Sequence, residues 1–395
     1  MMQLQLMKSW LQGHLPEYLE NLSALVNVDC GTSNKAGVDR VGRLFRSYLQ
    51  EAGFKLTEFP LAQYGDCCLG TLRGKGQGCI LLIGHLDTIY PDGIVAERPM
   101  RFEDRRILGP GVCDMKAGLL TGLYAVRALQ QVAFSDFARI DFFLNTDEEV
   151  GSPASHPLYQ PTAALADAAI VLESARMNGD IVSARKGGGV YRIDVRGRQA
   201  HAGVEIEKGA NAIIELMDCI HKLAALHGRQ PGTTLNVGLV GGGIRPNVVP
   251  DQAWAEIDVR FTTVAEGLAL DQVIRQVADH PVVPGTHVEI TGGIEKNPME
   301  KTAATLFLVD LLQGVAKQLG LSFEDVQSGG TSDGNFVSEM GVPTLDGLGP
   351  VGGLDHSPDE YLEMDSIVPR TALLAGFISE IAAHRDQLLQ VKRPI

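Results

Sequence analysis

The chain has 395 residues, a formal net charge of −14, 45% hydrophobic residues and 21% charged residues. That length is more than one ordinary core holds, so two domains are the starting expectation. The balance of apolar and charged residues is that of a soluble globular protein, and the acidity argues against nucleic acid as the main partner.

The N-terminal stretch "MMQLQLMKSWLQGHLPEYLENL" reads as an amphipathic helix and not as a signal peptide. No apolar run approaches the length of a membrane span, so no membrane partner is expected. Spacing of Leu, Val, Phe and Tyr predicts helices over 14–28 and 36–53. Strand-like runs follow at 68–72, 79–83 and 140–144, with a helix over 115–131 and a further apolar strand at 168–172. Strands separated by helices imply an α/β sheet with parallel members.

The pattern changes near "KGGG", residues 186–189. Beyond it come a strand at 190–197, a helix at 209–227, strands at 233–240 and 253–261, a helix at 266–279 and a strand at 286–291. That β-α-β-β-α-β order makes a ferredoxin-like α+β unit of its own. A helix over 302–319 then resumes the α/β pattern, which runs through 342–345 to a closing helix at 366–388. The expected fold class is therefore α/β: a domain made of residues 1–186 and 297–395, interrupted by an inserted unit at 187–296.

Chemistry-bearing residues gather where the strands end. His85 and Asp87 in "LLIGHLDTIY" stand two apart at a strand end and so share a face. A metal-bound imidazole needs its second nitrogen fixed by an acceptor, and a carboxylate suits that task. "GPGVCDMKAG" places Asp114 in a Gly-rich loop before a helix, where an N-cap is the ordinary reading. "NTDEEVGS" places Asp147, Glu148 and Glu149 together after an apolar run. Adjacent carboxylates repel, and desolvation worsens it. Either that turn is solvated or something positive sits there. Glu173 ends the strand in "VLES", and His356 lies in "GGLDHSPDE". Open α/β sheets keep their sites at the carboxyl ends of strands. Five such residues in succession outweigh the reading of each as a separate solvated loop.

Taken together, "GHLDT", "GPGVCDMKAG", "NTDEEVGS", "VLES", "AHAG" and "HSPDE" resemble the aminoacylase, acetylornithine deacetylase and carboxypeptidase G family of two-zinc hydrolases. The motifs fall in the family's order over nearly the whole chain, and carboxypeptidase G-like glutamate carboxypeptidases are the nearest branch. The resemblance implies a zinc-binding α/β catalytic domain interrupted by a lid that also makes a homodimer. It implies that Asp114 bridges two ions, that His85 and Glu173 complete one site, and that Glu149 and His356 complete the other. Asp87 would orient His85, Glu148 would be the general base, and the Asp114–Met115 peptide bond would be cis. Asp147 receives no role and is read as solvated.

By the same resemblance, His201 in "RQAHAGVEIEKGANA" stabilises the oxyanion in the neighbouring subunit's site. Asn247 in "IRPNVVP", Arg260 in "DVRF" and the Gly330–Thr331 loop in "SGGTSDGNF" meet the substrate carboxylate. There are departures. Where carboxypeptidase G-like enzymes carry a glutamate-binding arginine, "TGGIEKNPME" offers Lys296, a point charge without the bidentate fork. His156 stands where a basic residue is usual, with no role assigned.

The six cysteines (Cys30, Cys67, Cys68, Cys79, Cys113 and Cys219) form no CxxC pair and read as reduced thiols in a cytoplasmic protein; Cys113 reads as a packed thiol, not a ligand. Two Zn²⁺ ions about 3.5–4 Å apart can share a carboxylate and a hydroxide. Imidazole and carboxylate ligands suit catalytic zinc, and Co²⁺ or Mn²⁺ would accept the same set. The expected activity is metal-dependent hydrolysis of an amide bond, releasing a C-terminal amino acid from a small peptide. The alternatives are an N-acyl-amino-acid deacylase of the acetylornithine deacetylase type and a catalytically silent binding protein on the same fold. A silent protein would lack a ligand or Glu148, and none is missing.

Overall fold

The structure is a computed structural model and describes residues 2–392. The chain divides into two compact units: residues 1–184, 301–327 and 332–395 form the first, and residues 185–300 with 328–331 form the second.

The first unit is built on a six-stranded sheet in the order Lys55–Phe59, Cys67–Arg73, Arg139–Asn145, Cys79–His85, Ala168–Val171, Thr344–Leu345. Its last four strands are mutually parallel; the first two are antiparallel additions at one edge. The short apolar runs in the sequence are short because these strands are covered on both faces. Ile80 and Leu82 pack into a core with the helices Lys35–Glu51, Ala117–Gln131 and Ile367–Ala383, while Leu81 and Ile83 join Phe143 and Tyr159 on the opposite face. Helix Ala117–Gln131 approaches its sheet so closely that a Cβ on Gly118 would collide with the carbonyl of Leu172.

Several boundaries differ from expectation. The first helix runs over Met2–Val26, and Pro16 sits inside it. The expected helix at 115–131 begins only at Ala117, because Asp114 and Met115 have non-helical backbone angles; the Asp114–Met115 peptide bond is cis. The closing helix is two helices, Ile367–Ala383 and Arg385–Lys392, broken at His384. Residues 364–383 are long and apolar enough to cross a membrane, contrary to the sequence reading; 67% of the relevant window is buried, as in a core helix. Two small sheets were not foreseen, of which only the second is antiparallel throughout. One joins Ile181–Arg185 to Asp325–Ser328, and the other orders Gly352–Gly353, Tyr361–Glu363, Arg106–Leu108 and Arg101–Glu103.

The second unit is a four-stranded antiparallel sheet in the order Thr234–Gly242, Gln252–Phe261, Gly187–Arg196, His287–Lys296, with helices Ala212–Ala224 and Val264–Gln276. In chain order the strands and helices run β-α-β-β-α-β. The glycines of "KGGG" open the long strand Gly187–Arg196. A Cβ at residue 188 would lie 2.6 Å from an Arg260 nitrogen, so a larger residue there would displace the Arg260 side chain.

Candidate metal centre

In the parallel part of the sheet, His85 lies in register with Asn145, at the carboxyl ends of neighbouring strands. Asp87, Glu148 and Glu149 follow directly beyond those ends, and Glu173 follows Ala168–Val171. Asp114 and His356 come from elsewhere. Antiparallel pairing of Tyr361–Glu363 with Arg106–Leu108 draws the loop containing His356 against the loop containing Asp114. His356 has a left-handed backbone (φ 63°), as does Leu354 (φ 58°). Such a conformation costs an L-residue roughly 1–2 kcal/mol and persists where the surroundings enforce it, often at functional sites.

The five expected ligands converge. His85 Nε2 lies 2.9 Å from Asp114 Oδ1 and 3.7 Å from Glu173 Oε1. His356 Nε2 lies 3.0 Å from Asp114 Oδ2 and 3.2 Å from Glu149 Oε2. Asp114 thus presents one oxygen to each histidine. Two ligands of one tetrahedral zinc, each at about 2.0–2.1 Å, stand roughly 3.3 Å apart, so the spacing needs little adjustment to admit an ion. Ligand atoms of His85, Asp114 and Glu149 lie within 4.8 Å of one another.

The electrostatics also call for cations. Burial opposes ionisation of Asp114, yet hydrogen bonds from His356 and His85 hold its carboxyl well below the usual range. Burial and the charge of Asp114 push Glu173 well above its usual value, and burial raises Glu149. Hydrogen bonds to Asp114 and Glu149 raise His356 to about 11. His85 is raised too: burial opposes the charge, and Asp114, Asp87 and Glu173 overcome that opposition. Protons on two imidazoles supply the positive charge that buried carboxylates require. Divalent ions would supply it better, and the donor set fits them.

Asp87 was expected to orient His85, and its carboxylate contacts other groups as well. The closest acceptor to His85 Nδ1 is the backbone carbonyl of Asp87 at 2.9 Å, with its carboxylate at 3.5 Å. That carboxylate accepts from Thr32 Oγ1 at 2.7 Å and from the amides of Glu148 and Glu149, each at 3.3 Å. It therefore holds the short turn Glu148–Val150 on which both glutamates ride. Thr32 carried no sequence signal.

Asp147 corrects the sequence reading, for it is fully buried, not solvated. Its Oδ2 accepts from Ala154 N at 2.7 Å, and its own N–H donates to Asn145 Oδ1 at 2.9 Å. Asn145 in turn donates to Asp333 Oδ2 at 2.6 Å, and Ser152 Oγ and Tyr159 OH donate to Asp333 Oδ1 at 2.6 and 3.1 Å. A buried polar network thus replaces the expected solvated turn. Cys113 is buried, and burial raises its thiol well above the usual range, as befits a packed and unreactive group. His156 stacks on Phe336, with ring centroids 3.9 Å apart.

The remaining candidates, His201, Asn247, Arg260, Lys296, Gly330 and Thr331, all belong to the second unit. His201 is exposed, and its Nδ1 accepts the Gly203 N–H at 3.1 Å. In a neutral ring that leaves the proton on Nε2, a donor facing outward from that bond. The Asn247 carbonyl accepts from Ala202 N at 3.1 Å, which links the His201 and Asn247 segments. Arg260 pairs through two nitrogens with Asp258, at 3.0 and 2.6 Å. Arg260 and Lys296 both register with Gly188 across neighbouring strands. The Gly330 carbonyl accepts from Arg185 Nη1 at 3.1 Å.

The sequence matches peptidase family M20/M25/M40 over residues 81–380. It is 28% identical to carboxypeptidase G2 of Pseudomonas sp. (strain RS-16) over 374 residues, 93% of this chain and 90% of that one. It is 26% identical to acetylornithine deacetylase of Klebsiella pneumoniae (strain 342) over 406 aligned residues, 95% of this chain and 100% of that one. Its fold is similar to the crystal structure of aminopeptidase PepT from Bacillus cereus ATCC 10987, with a TM-score of 0.82 at 24% identity, covering 93% of this chain and 99% of that chain.

Proposed function

The chain belongs to peptidase family M20/M25/M40, and from that membership we propose that it is a carboxypeptidase that cleaves an amide bond and releases the C-terminal amino acid of a small peptide. Metal-dependent peptidase or amidohydrolase chemistry comes with the family; release of the C-terminal residue is our reading. Its support is the 28% identity to carboxypeptidase G2 and, above all, the meeting of His85, Asp114, Glu149, Glu173 and His356 with Glu148 beside Glu149.

His85, Asp114 and Glu173 would hold one divalent ion, and His356, Asp114 and Glu149 the other. The ligand types suit Zn²⁺, and the same set serves Co²⁺ or Mn²⁺. Such ions, when bound, supply Lewis acidity toward the scissile carbonyl and lower the pKa of a water. Glu148 takes a proton from the attacking water and returns it to the leaving amine. Asp87 keeps Glu148 in position through the amide hydrogen bonds of its turn. His201 donates from Nε2 to the carbonyl oxygen as negative charge develops there.

Arg260, Asn247 and the Gly330–Thr331 loop hold the substrate carboxylate, and Lys296 selects among side chains. In this reading the second unit is the lid and the dimerisation domain. Its outer strand Thr234–Gly242 is a sheet edge with exposed Leu239 and Val240, and helix Ala212–Ala224 exposes Ile214 and Met217. A free edge beside exposed apolar side chains is a surface that pairing would cover.

A panel of dipeptides and N-acetyl amino acids, assayed with metal-loaded protein, tests the proposal. Faster turnover of dipeptides supports it. Preference for N-acetyl substrates would install the deacylase reading, which the acetylornithine deacetylase similarity also supports. Binding without turnover would make the chain a binding protein.

A further inference from the structure

We propose that Glu360 is a positioning residue for the metal centre, a single carboxylate that fixes three of the segments carrying its ligands; the inference rests on the metal-centre reading above. Glu360 closes the "HSPDE" motif that His356 opens, and it is 2% exposed. Its Oε1 accepts the backbone N–H groups of Cys113 at 2.8 Å and Asp114 at 3.0 Å. Its Oε2 accepts the N–H of Gly111 at 2.9 Å and the hydroxyl of Tyr90 at 2.7 Å. Four donors thus converge on two oxygens across more than 240 residues of chain.

The identity of those donors gives the carboxylate its role. Gly111, Cys113 and Asp114 belong to the loop that presents the shared carboxylate, and one bond falls on the amide of Asp114 itself. Tyr90 lies just beyond His85 and Asp87, and its hydroxyl also lies 2.8 Å from the Ser357 carbonyl, next to His356. The segments of His85, Asp114 and His356 are therefore tied at one point. Asp114 lies within hydrogen-bond distance of both His85 and His356, so a shift of a few tenths of an ångström in any of the three segments changes the space left for an ion.

Three backbone N–H groups, which cannot turn into acceptors, call for a carboxylate. It offers about four lone-pair positions and no donor, whereas a glutamine amide offers one accepting oxygen and two N–H donors. However the amide turned, its NH₂ would face either the amides of Cys113 and Asp114 or that of Gly111. Glu360→Gln, close in size, therefore loses at least the Gly111 bond and sets a donor against a donor, even where the Tyr90 hydroxyl turns to accept from the NH₂ and donates to the Ser357 carbonyl. Residues that orient metal ligands from outside the coordination sphere typically contribute roughly 10–100-fold to metal affinity.

The test uses the full-length chain stripped of metal and titrated with Co²⁺. Calorimetry reads stoichiometry and affinity, visible d–d absorption reads coordination geometry, and thermal melts by circular dichroism report folding. Wild type should take two ions. Glu360→Gln should melt cooperatively, bind at least one Co²⁺ roughly 10–100-fold more weakly and give an altered d–d band. At saturating Co²⁺ its kcat should fall more than its KM changes.

Tyr90→Phe, which deletes one donor and keeps the carboxylate, should produce the same changes to a smaller degree, and it decides the matter if the glutamine variant does not fold. Wild-type affinities and an unaltered band in Glu360→Gln, or in Tyr90→Phe where only that variant folds, would overturn the inference. Fewer than two ions in wild type would instead overturn the metal-centre reading on which it rests.

Discussion

Asp114 and His356 meet at 3.0 Å between Oδ2 and Nε2, although neither belongs to the parallel sheet that carries the other proposed ligands. The sheet delivers His85, Glu149 and Glu173 at strand ends, and a small antiparallel element delivers the remaining two. Removing bound ions should therefore loosen this junction. The carboxylates of Asp114, Glu149 and Glu173 would again depend on protonated imidazoles for their positive charge. Metal analysis after zinc loading should give two ions per chain, and a chelator should lower Tm. Ions present at 100 times Kd contribute about 2.7 kcal/mol by mass action, so the shift should be several degrees. A melting curve unmoved by chelation would count against the site.

Glu148→Gln should keep both ions and lose turnover. The amide is nearly isosteric but cannot take the water's proton, and loss of such a group costs roughly 10²–10⁴ in rate. The Glu148 backbone amide would still bond to Asp87, so the turn should survive. If the variant lost an ion yet regained activity on reloading, Glu148 and Glu149 would have the opposite roles.

The strand ends were legible because fully buried parallel strands make short, unbroken apolar runs, and the polar residue after each stands out. Asp147 was not legible. Three acids in a row suggest a solvated turn, and its burial depends on Ala154, Asn145 and a network reaching Asp333. Glu360 was missed for a related reason: its partners are backbone amides far away in sequence, and an amide leaves no mark on the residue code. The elements at 101–108 and 352–363 have strands of only two or three residues, too short for a period-2 pattern to register.

Asp333→Asn should destabilise the protein without touching a metal ligand. Asp333 accepts from Asn145, Ser152 and Tyr159, and the new NH₂ would either oppose the Asn145 NH₂ or turn the Ser152 and Tyr159 hydroxyls away from their acceptor. An unsatisfied buried group costs about 1–3 kcal/mol. Urea denaturation should show a lower midpoint with an unchanged slope. A midpoint equal to wild type would mean that the network contributes nothing measurable.

If Arg260, Asn247 and the Gly330–Thr331 loop hold a substrate carboxylate, amidating that carboxylate should raise KM and lower kcat/KM. Charge-assisted hydrogen bonds are worth about 1.5–3 kcal/mol, so the loss should be roughly 10–100-fold. Lys296→Ala should change the ranking among acidic and neutral side chains while leaving the amide penalty in place. Equal kcat/KM for acid and amide would remove the proposed carboxylate site, and an unchanged ranking would remove Lys296 from it.

His201 can serve the site of its own subunit or that of a partner. Its Nδ1 is occupied by Gly203 N–H, so the ring has one donor, Nε2–H, to offer a developing oxyanion. Loss of one such donor typically costs about 10²–10³ in kcat, so His201→Ala should be nearly inactive with its ions retained. In a two-fold dimer that exchanges this residue, the two sites borrow reciprocally. Consider subunits of Glu148→Gln exchanging with subunits of His201→Ala. Acting in trans, His201 gives each mixed dimer one site with both defects and one with none. Equal amounts exchanging at random make half the dimers mixed, so roughly a quarter of all sites become intact. Acting in cis, it leaves every site with one defect, and mixing restores nothing. A tag on one variant must confirm exchange, because a dimer that never dissociates also restores nothing. Recovery near a quarter of wild-type activity establishes the shared site, whereas confirmed exchange without recovery, or a monomer at assay concentration, rejects it.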